Sequence, residues 1–236
     1  MTEACVFKVT PQPQGSSLKT LVNLYTFEAE HFETQAINIK KLFYKYKART
    51  VVIDANGIGA GLVDFMVLDQ EDPETGDLIP NFGVGGATYE GWEKDYKKHK
   101  TIDTETDAMY LIKANAPINT EAHSYVQTQL AAGKIKFLID ETQAKSKLMA
   151  TKMGQAMSPD KRAEHLKPYT LTTILREQML NLVEENEGVN IILKQSSKGI
   201  KKDKFSAFEY GLYYIKQEED RKRKKKFRVS DLMFYS

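Results

Sequence analysis

Residues 51–64 read Val51-Val52-Ile53-Asp54-Ala55-Asn56-Gly57-Ile58-Gly59-Ala60-Gly61-Leu62-Val63-Asp64. The β-branched residues that open this segment show no polar alternation, which is typical of a strand buried on both faces. An acid, Asp54, ends the predicted strand, and a glycine-rich turn leads from it into an apolar helix. Open α/β sheets bind their ligands at the carboxyl ends of the strands. The segment therefore predicts an α/β fold with a candidate site at Asp54.

Strand and helix patterns alternate through the rest of the chain. Further strands are predicted at residues 4–9, 18–27, 109–113, 135–139 and 189–193, and helices at residues 32–46, 118–130, 170–187 and 203–219. The first two strands are predicted to form a hairpin with a long loop, residues 69–91 an exposed loop, and residues 142–157 a helical or mobile segment. This order favours a mixed sheet, in which an antiparallel edge precedes parallel strands flanked by helices.

Length and composition limit the class of protein. A chain of 236 residues can bury a full core, and we predict one domain over residues 1–236 with a basic tail at about residues 220–236. The single cysteine, Cys5, excludes a disulfide framework and a cysteine-ligated zinc site. No apolar run approaches the roughly 18 residues of a membrane helix, and the first residues lack the layout of a signal peptide. These features predict a soluble intracellular protein.

Asp54 allows two interpretations. A carboxylate at a strand end is a natural ligand for a hard cation such as Mg²⁺, but an aspartate there also commonly caps the following turn. Gly57, Gly59 and Gly61 follow a G-x-G-x-G spacing and lack the lysine and hydroxyl residue of a P-loop, so a nucleotide site is weakly supported. The glycines would equally allow another backbone or a nucleic-acid strand to approach closely.

A second candidate segment reads Lys198-Gly199-Ile200-Lys201-Lys202-Asp203-Lys204-Phe205. Asp203 opens a predicted helix among lysines, and it is either an ordinary N-cap or a metal ligand beside a phosphate-binding surface. The predicted DNA-binding residues here are Lys198, Lys201, Lys202 and Lys204. A basic run begins at Arg221 and includes Lys222 and Arg223. It is either a solvated tail or a second contact for a polyanion, and nucleic acid is the favoured partner.

Other residues are weaker candidates. Asp140 ends the predicted strand at 135–139 without a glycine turn, so a structural role or a place at the rim of the site is favoured. Asp64 and Glu209 could assist at the site, although a place on a helix surface is favoured for both. The histidines lack the spacing of a zinc protease and are interpreted as surface or helix residues: His31, His99, His123 and His165. With no G-x-S-x-G motif, an acyl-transfer enzyme is unsupported.

Together, residues 51–64 and residues 199–207 (Gly199-Ile200-Lys201-Lys202-Asp203-Lys204-Phe205-Ser206-Ala207) resemble the nuclease domain of the large terminase subunit of tailed bacteriophages. The resemblance spans roughly residues 4–215 and implies a ribonuclease H-like fold. It implies that Asp54 and Asp203 are catalytic metal ligands in a two-ion Mg²⁺ or Mn²⁺ site, with Asp140 and Asp64 as possible accessory acids. It further implies endonucleolytic hydrolysis of concatemeric double-stranded viral DNA during genome packaging.

The same resemblance implies partners and a location. These are double-stranded DNA, an upstream terminase ATPase segment, the small terminase subunit and the portal, in the host cytoplasm and without a membrane. Two departures stand out: the chain has no Walker motif, and it begins at what resembles the family's second strand, without the aspartate of the first strand. Glu3 is the nearby acid and matches that aspartate poorly. We therefore expect a truncated or split-gene piece with impaired activity and an exposed sheet edge.

Two alternatives from other classes remain open. One is a resolvase-like or integrase-like nuclease of the same fold, which would prefer branched DNA. The other is a catalytically incomplete DNA-binding or assembly module, which would bind DNA in a salt-dependent way without cleaving it.

Overall fold

The chain forms separate small sheets flanked by helices. The computed structural model describes residues 2–28, 30–96 and 106–230. The strands are β1 Thr2–Thr10, β2 Leu18–Phe27, β3 Val51–Asp54, β4 Gln70–Glu71, β5 Leu78–Ile79, β6 Phe82–Ala87, β7 Thr106–Ile112, β8 Ile135–Lys136, β9 Leu182–Glu187 and β10 Asn190–Gln195. The helices are α1 Phe32–Tyr46, α2 Ile58–Met66, α3 Glu90–Tyr96, α4 Ala116–Ala131, α5 Glu141–Met149, α6 Lys152–Ala156, α7 Pro159–Leu180 and α8 Asp203–Ser230.

Backbone contacts divide the chain into two compact units. One is Phe27–Ile118, and the other is Thr2–Thr26 together with the chain from Asn119. The predicted α/β class is confirmed, with parallel and antiparallel strand pairs and flanking helices. The ribonuclease H-like topology and the single-domain organisation stay predictions. Among the described residues, no helix is both long enough and apolar enough to cross a membrane.

The first unit contains a parallel sheet with the strand order β3-β7-β6. The central strand β7 pairs in parallel with both neighbours, and Asp54 lies opposite Ile112. Met109, Leu111 and Ile112 of this strand are almost fully buried. That burial suits a central strand with both faces covered. In β3, which forms an edge of the sheet, Ile53 is buried but Val51 and Val52 are half-buried, so the predicted burial of this strand on both faces is correct only in part.

The second unit contains the sheet β1-β2-β8 and the antiparallel hairpin β9–β10. β2 pairs in parallel with the short strand β8, and β1 forms an edge of its sheet. The core of this unit joins apolar residues from β2, α4, β8, α7 and α8: Leu21, Leu24, Tyr125, Val126, Ile135, Leu171, Leu175, Phe205, Phe208, Leu212 and Ile215. The apolar stripe predicted for the last helix is therefore confirmed.

The predicted exposed loop at residues 69–91 is wrong in its centre. This segment forms the β4–β5 hairpin and then β6, an edge strand of the parallel sheet. The glycines of β6 hide its strand pattern, and one of them has a packing reason. A Cβ on Gly85 would lie 2.7 Å from the backbone oxygen of Asp107, so only glycine lets β6 approach β7 this closely.

The predicted helix at residues 170–187 is wrong at both ends. α7 begins earlier, at Pro159, and ends at Leu180, after which β9 pairs with β10 around Gly188. Gly188 has φ +62° and belongs to the hairpin turn, where the sequence suggested a helix stop. Leu182 and Val183 fit a helical stripe equally well, so local periodicity could not separate the two structures.

Two further boundaries differ from the sequence prediction. β8 ends at Lys136, and Asp140 is the N-cap of α5, where its Oδ1 accepts a 2.9 Å hydrogen bond from the backbone N–H of Gln143. α8 continues through the predicted tail to Ser230, because this segment has no glycine or proline and ion pairs such as Lys216–Asp220 link successive turns. Residues 231–236 and His99 lie outside the described residues.

Candidate functional site

The carboxyl ends of the three parallel strands are joined by hydrogen bonds. The backbone N–H of Ala55 donates to the oxygen of Ile112 at 3.0 Å, and that of Thr88 donates to the oxygen of Leu111 at 2.9 Å. The segments after β3, β6 and β7 therefore form one edge. This is the edge at which open parallel sheets bind ligands.

Asp54 lies at this edge with its side chain exposed. Its Oδ1 accepts a 3.2 Å hydrogen bond from the backbone N–H of Asn56, and the Asn56 amide donates to the oxygen of Ala114 at 3.1 Å. Partial desolvation raises the pKa of the Asp54 carboxyl, and the Asn56 hydrogen bond opposes the shift. The turn-capping interpretation is thus correct for one carboxylate oxygen, and a ligand role remains compatible with it.

The glycine turn after Asp54 is explained by packing within the protein. Gly57 has φ +56°, a backbone conformation that favours glycine. A Cβ on Gly59 would lie 1.8 Å from the backbone oxygen of Asp54, and one on Gly61 would lie 2.7 Å from the Phe32 ring. The glycines therefore let α2 start directly against the end of β3 and pack against α1.

Asp64 makes a contact between two helices. Its Oδ1 accepts a 3.1 Å hydrogen bond from the hydroxyl of Tyr96, which joins α2 to α3. Burial, together with Asp64 and Asp95, raises the pKa of Tyr96 to about 12, so this hydroxyl stays a donor at neutral pH. An accessory role of Asp64 at the candidate site stays a prediction.

The edge also carries an aromatic group that the sequence prediction missed. The Lys113 ammonium lies 3.9 Å from the ring centroid of Tyr89 and 5.7 Å from that of Trp92. The Tyr89 and Trp92 rings are 5.7 Å apart in an edge-on arrangement. Tyr89 and Trp92 follow β6, and Lys113 follows β7, so a correct prediction of both strands would have indicated that they meet at this edge. The sequence pattern predicts a loop in place of β6, and the group is therefore missed.

Asp203 is the first residue of α8 and is exposed. The backbone N–H of Ser206 donates to the oxygen of Lys202, so Asp203 lies within the first helical turn and is not the N-cap. The Gln178 side chain of α7 accepts from the N–H of Phe205 at 3.0 Å and so supplies a cap from another helix. The charge of Asp203 suits the positive end of the helix dipole.

The predicted cationic residues divide into exposed and buried groups. Lys198, Lys201 and Lys202 are exposed in the loop before α8. Lys204 is 5% exposed, and its ammonium lies 2.6 Å from Glu3. The second Glu3 oxygen accepts a 2.7 Å hydrogen bond from the hydroxyl of Thr26. Burial in this ion pair removes Lys204 from the lysines that can contact a DNA backbone.

The basic run lies on α8 and is partly neutralised by it. Arg221, Lys222 and Arg223 are exposed. Arg221 pairs with Glu218 at 2.7 Å, and Arg223 pairs with Asp220. Exposed ion pairs of this kind contribute little energy, so they leave the cations available to other anions. All three residues therefore remain candidates for DNA contact.

In the second unit, the buried His123 lies beside two glutamates, Glu184 and Glu209, and we call these three residues the His123 cluster. His123 Nε2 is 2.7 Å from Glu184, and its Nδ1 is 3.4 Å from Glu209. Glu209 is 6% exposed, so the favoured helix-surface interpretation of this residue is wrong. Burial alone would lower the pKa of His123, but the two carboxylates outweigh it and raise the value. Burial also raises the pKa of Glu209, while His123 and Lys202 oppose that shift.

The donors for a divalent metal are spread over the chain. Within residues 2–28, 30–96 and 106–230, no three His, Cys, Asp or Glu side chains are grouped so that they could hold a metal ion. Asp54 lies in the first unit and Asp203 in the second. A two-ion site that uses both stays a prediction.

No family model, curated protein or solved structure matches this chain.

Proposed function

We propose that this chain is a divalent-metal-dependent DNA endonuclease domain that resembles the nuclease domain of large terminase subunits. The observation that carries the proposal is Asp54, an exposed but partly desolvated carboxylate at the carboxyl edge of a parallel sheet. A nearby cation stabilises the charged form of such a carboxylate. This edge is also the usual place for a ligand in open α/β sheets.

A metal ion at Asp54 would be held by few protein ligands. Mg²⁺ usually keeps several water molecules and is bound through one or two carboxylates plus substrate phosphates. Asp54 supplies one such carboxylate, and the resemblance implies Asp203 as a further ligand. A bound divalent ion would supply an activated water and stabilise charge during phosphodiester hydrolysis.

The proposed substrate is double-stranded DNA, held by cations next to Asp203. Lys198, Lys201 and Lys202 are exposed and sequence-adjacent to this acid, and Arg221 to Arg223 extend the positive charge along α8. Contacts of this kind read the phosphate backbone and not the bases, so cutting would be almost independent of sequence. An ATPase segment, a small terminase subunit and a portal are the partners that this proposal includes.

The test is nicking of supercoiled plasmid with Mg²⁺, with Mn²⁺ or with chelator. Asp54→Asn keeps an oxygen acceptor for the N–H of Asn56 while removing the charge, so it isolates the role of the charge. Asp203→Asn is matched by Asp160→Asn, since Asp160 also lies in the first turn of a long helix. We expect Asp54→Asn and Asp203→Asn to reduce cleavage by at least about 100-fold, because loss of a group that merely hydrogen-bonds to a metal ligand already costs about 10- to 100-fold.

In the same assay, the control Asp160→Asn should cleave like the unaltered chain. Cleavage that persists in chelator, or that survives both site substitutions, would overturn the proposal.

A second candidate is a DNA-binding module without catalysis. The ion pair of Glu3 with Lys204 favours it, because Glu3 is the acid of β1 and its carboxylate is committed to a buried cation. This candidate predicts salt-dependent DNA binding by a folded chain that shows no metal-dependent nicking. The plasmid assay therefore separates the two functions.

A further inference from the structure

Tyr89, Trp92 and Lys113 form one surface group, which we call the aromatic platform. Tyr89 is 46% exposed although its ring is packed against a lysine and a second ring. Lys113 is itself exposed, and its backbone N–H donates to the Thr88 hydroxyl at 2.7 Å. The platform therefore lies where the segments after β6 and β7 are joined by a hydrogen bond.

The Tyr89 ring lies close to the backbone at Gly91. A Cβ on Gly91 would lie 2.5 Å from the Tyr89 ring, so glycine at this position makes room for the ring. The backbone N–H of Trp92 donates to the oxygen of Tyr89 at 3.2 Å. An aromatic side chain that is exposed and already oriented loses little conformational entropy when it binds a flat partner.

The chemistry of the platform suits a nucleotide that is not base-paired. Aromatic side chains stack on every base, at about 1–3 kcal/mol per base, and a nearby cation contacts the backbone phosphate. Tyrosine and tryptophan supply the stacking surface here, and Lys113 supplies the positive charge. A paired base inside a duplex has no face free for such stacking.

We propose that the aromatic platform binds an unpaired nucleotide of a DNA strand at the Asp54 edge. This inference rests on the proposed action on DNA and names a strand contact for it. Neighbouring strands of a sheet lie about 4.8 Å apart, so the end of β6 lies about 10 Å from the end of β3. A nucleotide on the platform would therefore keep its strand near Asp54.

The single tryptophan of the chain, Trp92, makes binding directly visible. In chelator, where metal-dependent cleavage cannot occur, we expect a single-stranded oligonucleotide to quench its fluorescence more strongly than a blunt duplex of the same length. The affinity is measured in parallel by the anisotropy of a labelled oligonucleotide. Tyr89→Ala should weaken single-strand binding by about 5- to 140-fold, the range that corresponds to one lost stacking contact of about 1–3 kcal/mol.

Matched variants control for general effects. Tyr89→Phe keeps the ring and should bind within about 2-fold of the unaltered chain, since stacking needs no hydroxyl. Tyr44→Ala removes a tyrosine that is 48% exposed and lies on α1, and it should leave binding unchanged. Lys113→Gln should weaken binding and its salt dependence, whereas Lys45→Gln, which removes a lysine near the Tyr46 ring, should not.

The outcomes separate this inference from the nuclease proposal. Equal single-strand affinity in Tyr89→Ala and the unaltered chain, or equal quenching by duplex, would overturn the platform even if the plasmid is cut. Quenching that depends on Tyr89 and Lys113 in a chain that never cuts the plasmid would support the platform and overturn the nuclease proposal.

Discussion

His123 and Glu209 illustrate how burial changes what a residue does. In the sequence both are polar residues of predicted helices with no sign of burial, yet both are buried in the second unit. The side chains of His123 and Gln127 both contact Glu184. The pKa of His123 is raised because the two carboxylates outweigh the effect of burial, and the pKa of Glu209 is raised by burial. The cluster therefore couples the stability of this unit to pH.

The sign of this coupling follows from proton linkage. A group whose pKa is higher in the folded chain binds its proton more tightly there, so its contribution is present at low pH and is lost as pH rises through the folded pKa. Both groups act in this direction. We expect the free energy of unfolding to fall as the pH rises from about 4.3, the usual glutamate pKa, to beyond about 6.5, the usual histidine pKa.

The measurement is urea unfolding over that pH range, with the pKa of His123 followed by NMR. Glu209→Gln should reduce the pH dependence and lower the pKa of His123, because it removes one of the two carboxylates. Glu177→Gln on the exposed face of α7 should change neither quantity. A pH profile that Glu209→Gln leaves unaltered would show that the cluster does not control stability.

Among the elements, the junction of β3 and α2 depends most directly on glycine. At Gly59 two effects compete: alanine favours a helix over glycine by about 1 kcal/mol, while its Cβ would lie 1.8 Å from the backbone oxygen of Asp54. A backbone atom cannot rotate away as a side chain can. The steric conflict should therefore outweigh helix propensity.

We expect Gly59→Ala to lower the free energy of unfolding by about 1–3 kcal/mol, the usual cost of overpacking. The check is urea unfolding against Gly199→Ala, whose Cβ would meet no atom closer than 3.8 Å. That control should change stability by less than about 0.5 kcal/mol, as surface substitutions usually do. Equal stability of the two variants would mean that α2 can shift away from β3.

The predicted elements match the structure where a local pattern marks them and fail where strand pairing decides the conformation. α1 and β2 match their predicted bounds of 32–46 and 18–27, because a long periodic pattern and flanking turn residues mark them. β6 was missed because its glycines carry no side-chain pattern, and β9 was read as helix. In both cases pairing with a neighbouring strand decides the conformation.

At the scale of the whole molecule, the proposed DNA contact depends on exposed lysines that lie in the same loop. Lys198, Lys201 and Lys202 are exposed in one loop, while the overall net charge is only +2. Each phosphate contact releases counterions, so the logarithm of the affinity falls with the logarithm of salt by about 0.9 per contact. The loop should therefore govern the salt dependence of binding.

We expect the triple variant Lys198→Gln, Lys201→Gln, Lys202→Gln to reduce the magnitude of that slope by about 2–3 on duplex DNA. The matched control replaces three other exposed lysines of the same unit, Lys145, Lys147 and Lys152, by glutamine. The control has the same net charge and should keep the slope. An identical loss in both triple variants would mean that binding senses net charge and not this loop.

Local pattern was enough to predict the α/β class, the strand that ends in Asp54 and the apolar face of α8. These features depend on residues a few positions apart, which repeat with the period of a strand or helix. The pairing of Glu3 with Lys204, the burial of Glu209 and the approach of Lys113 to Tyr89 join residues far apart in the chain. Only tertiary packing decides them, because burial and charge pairing depend on which elements meet, and no local pattern encodes that.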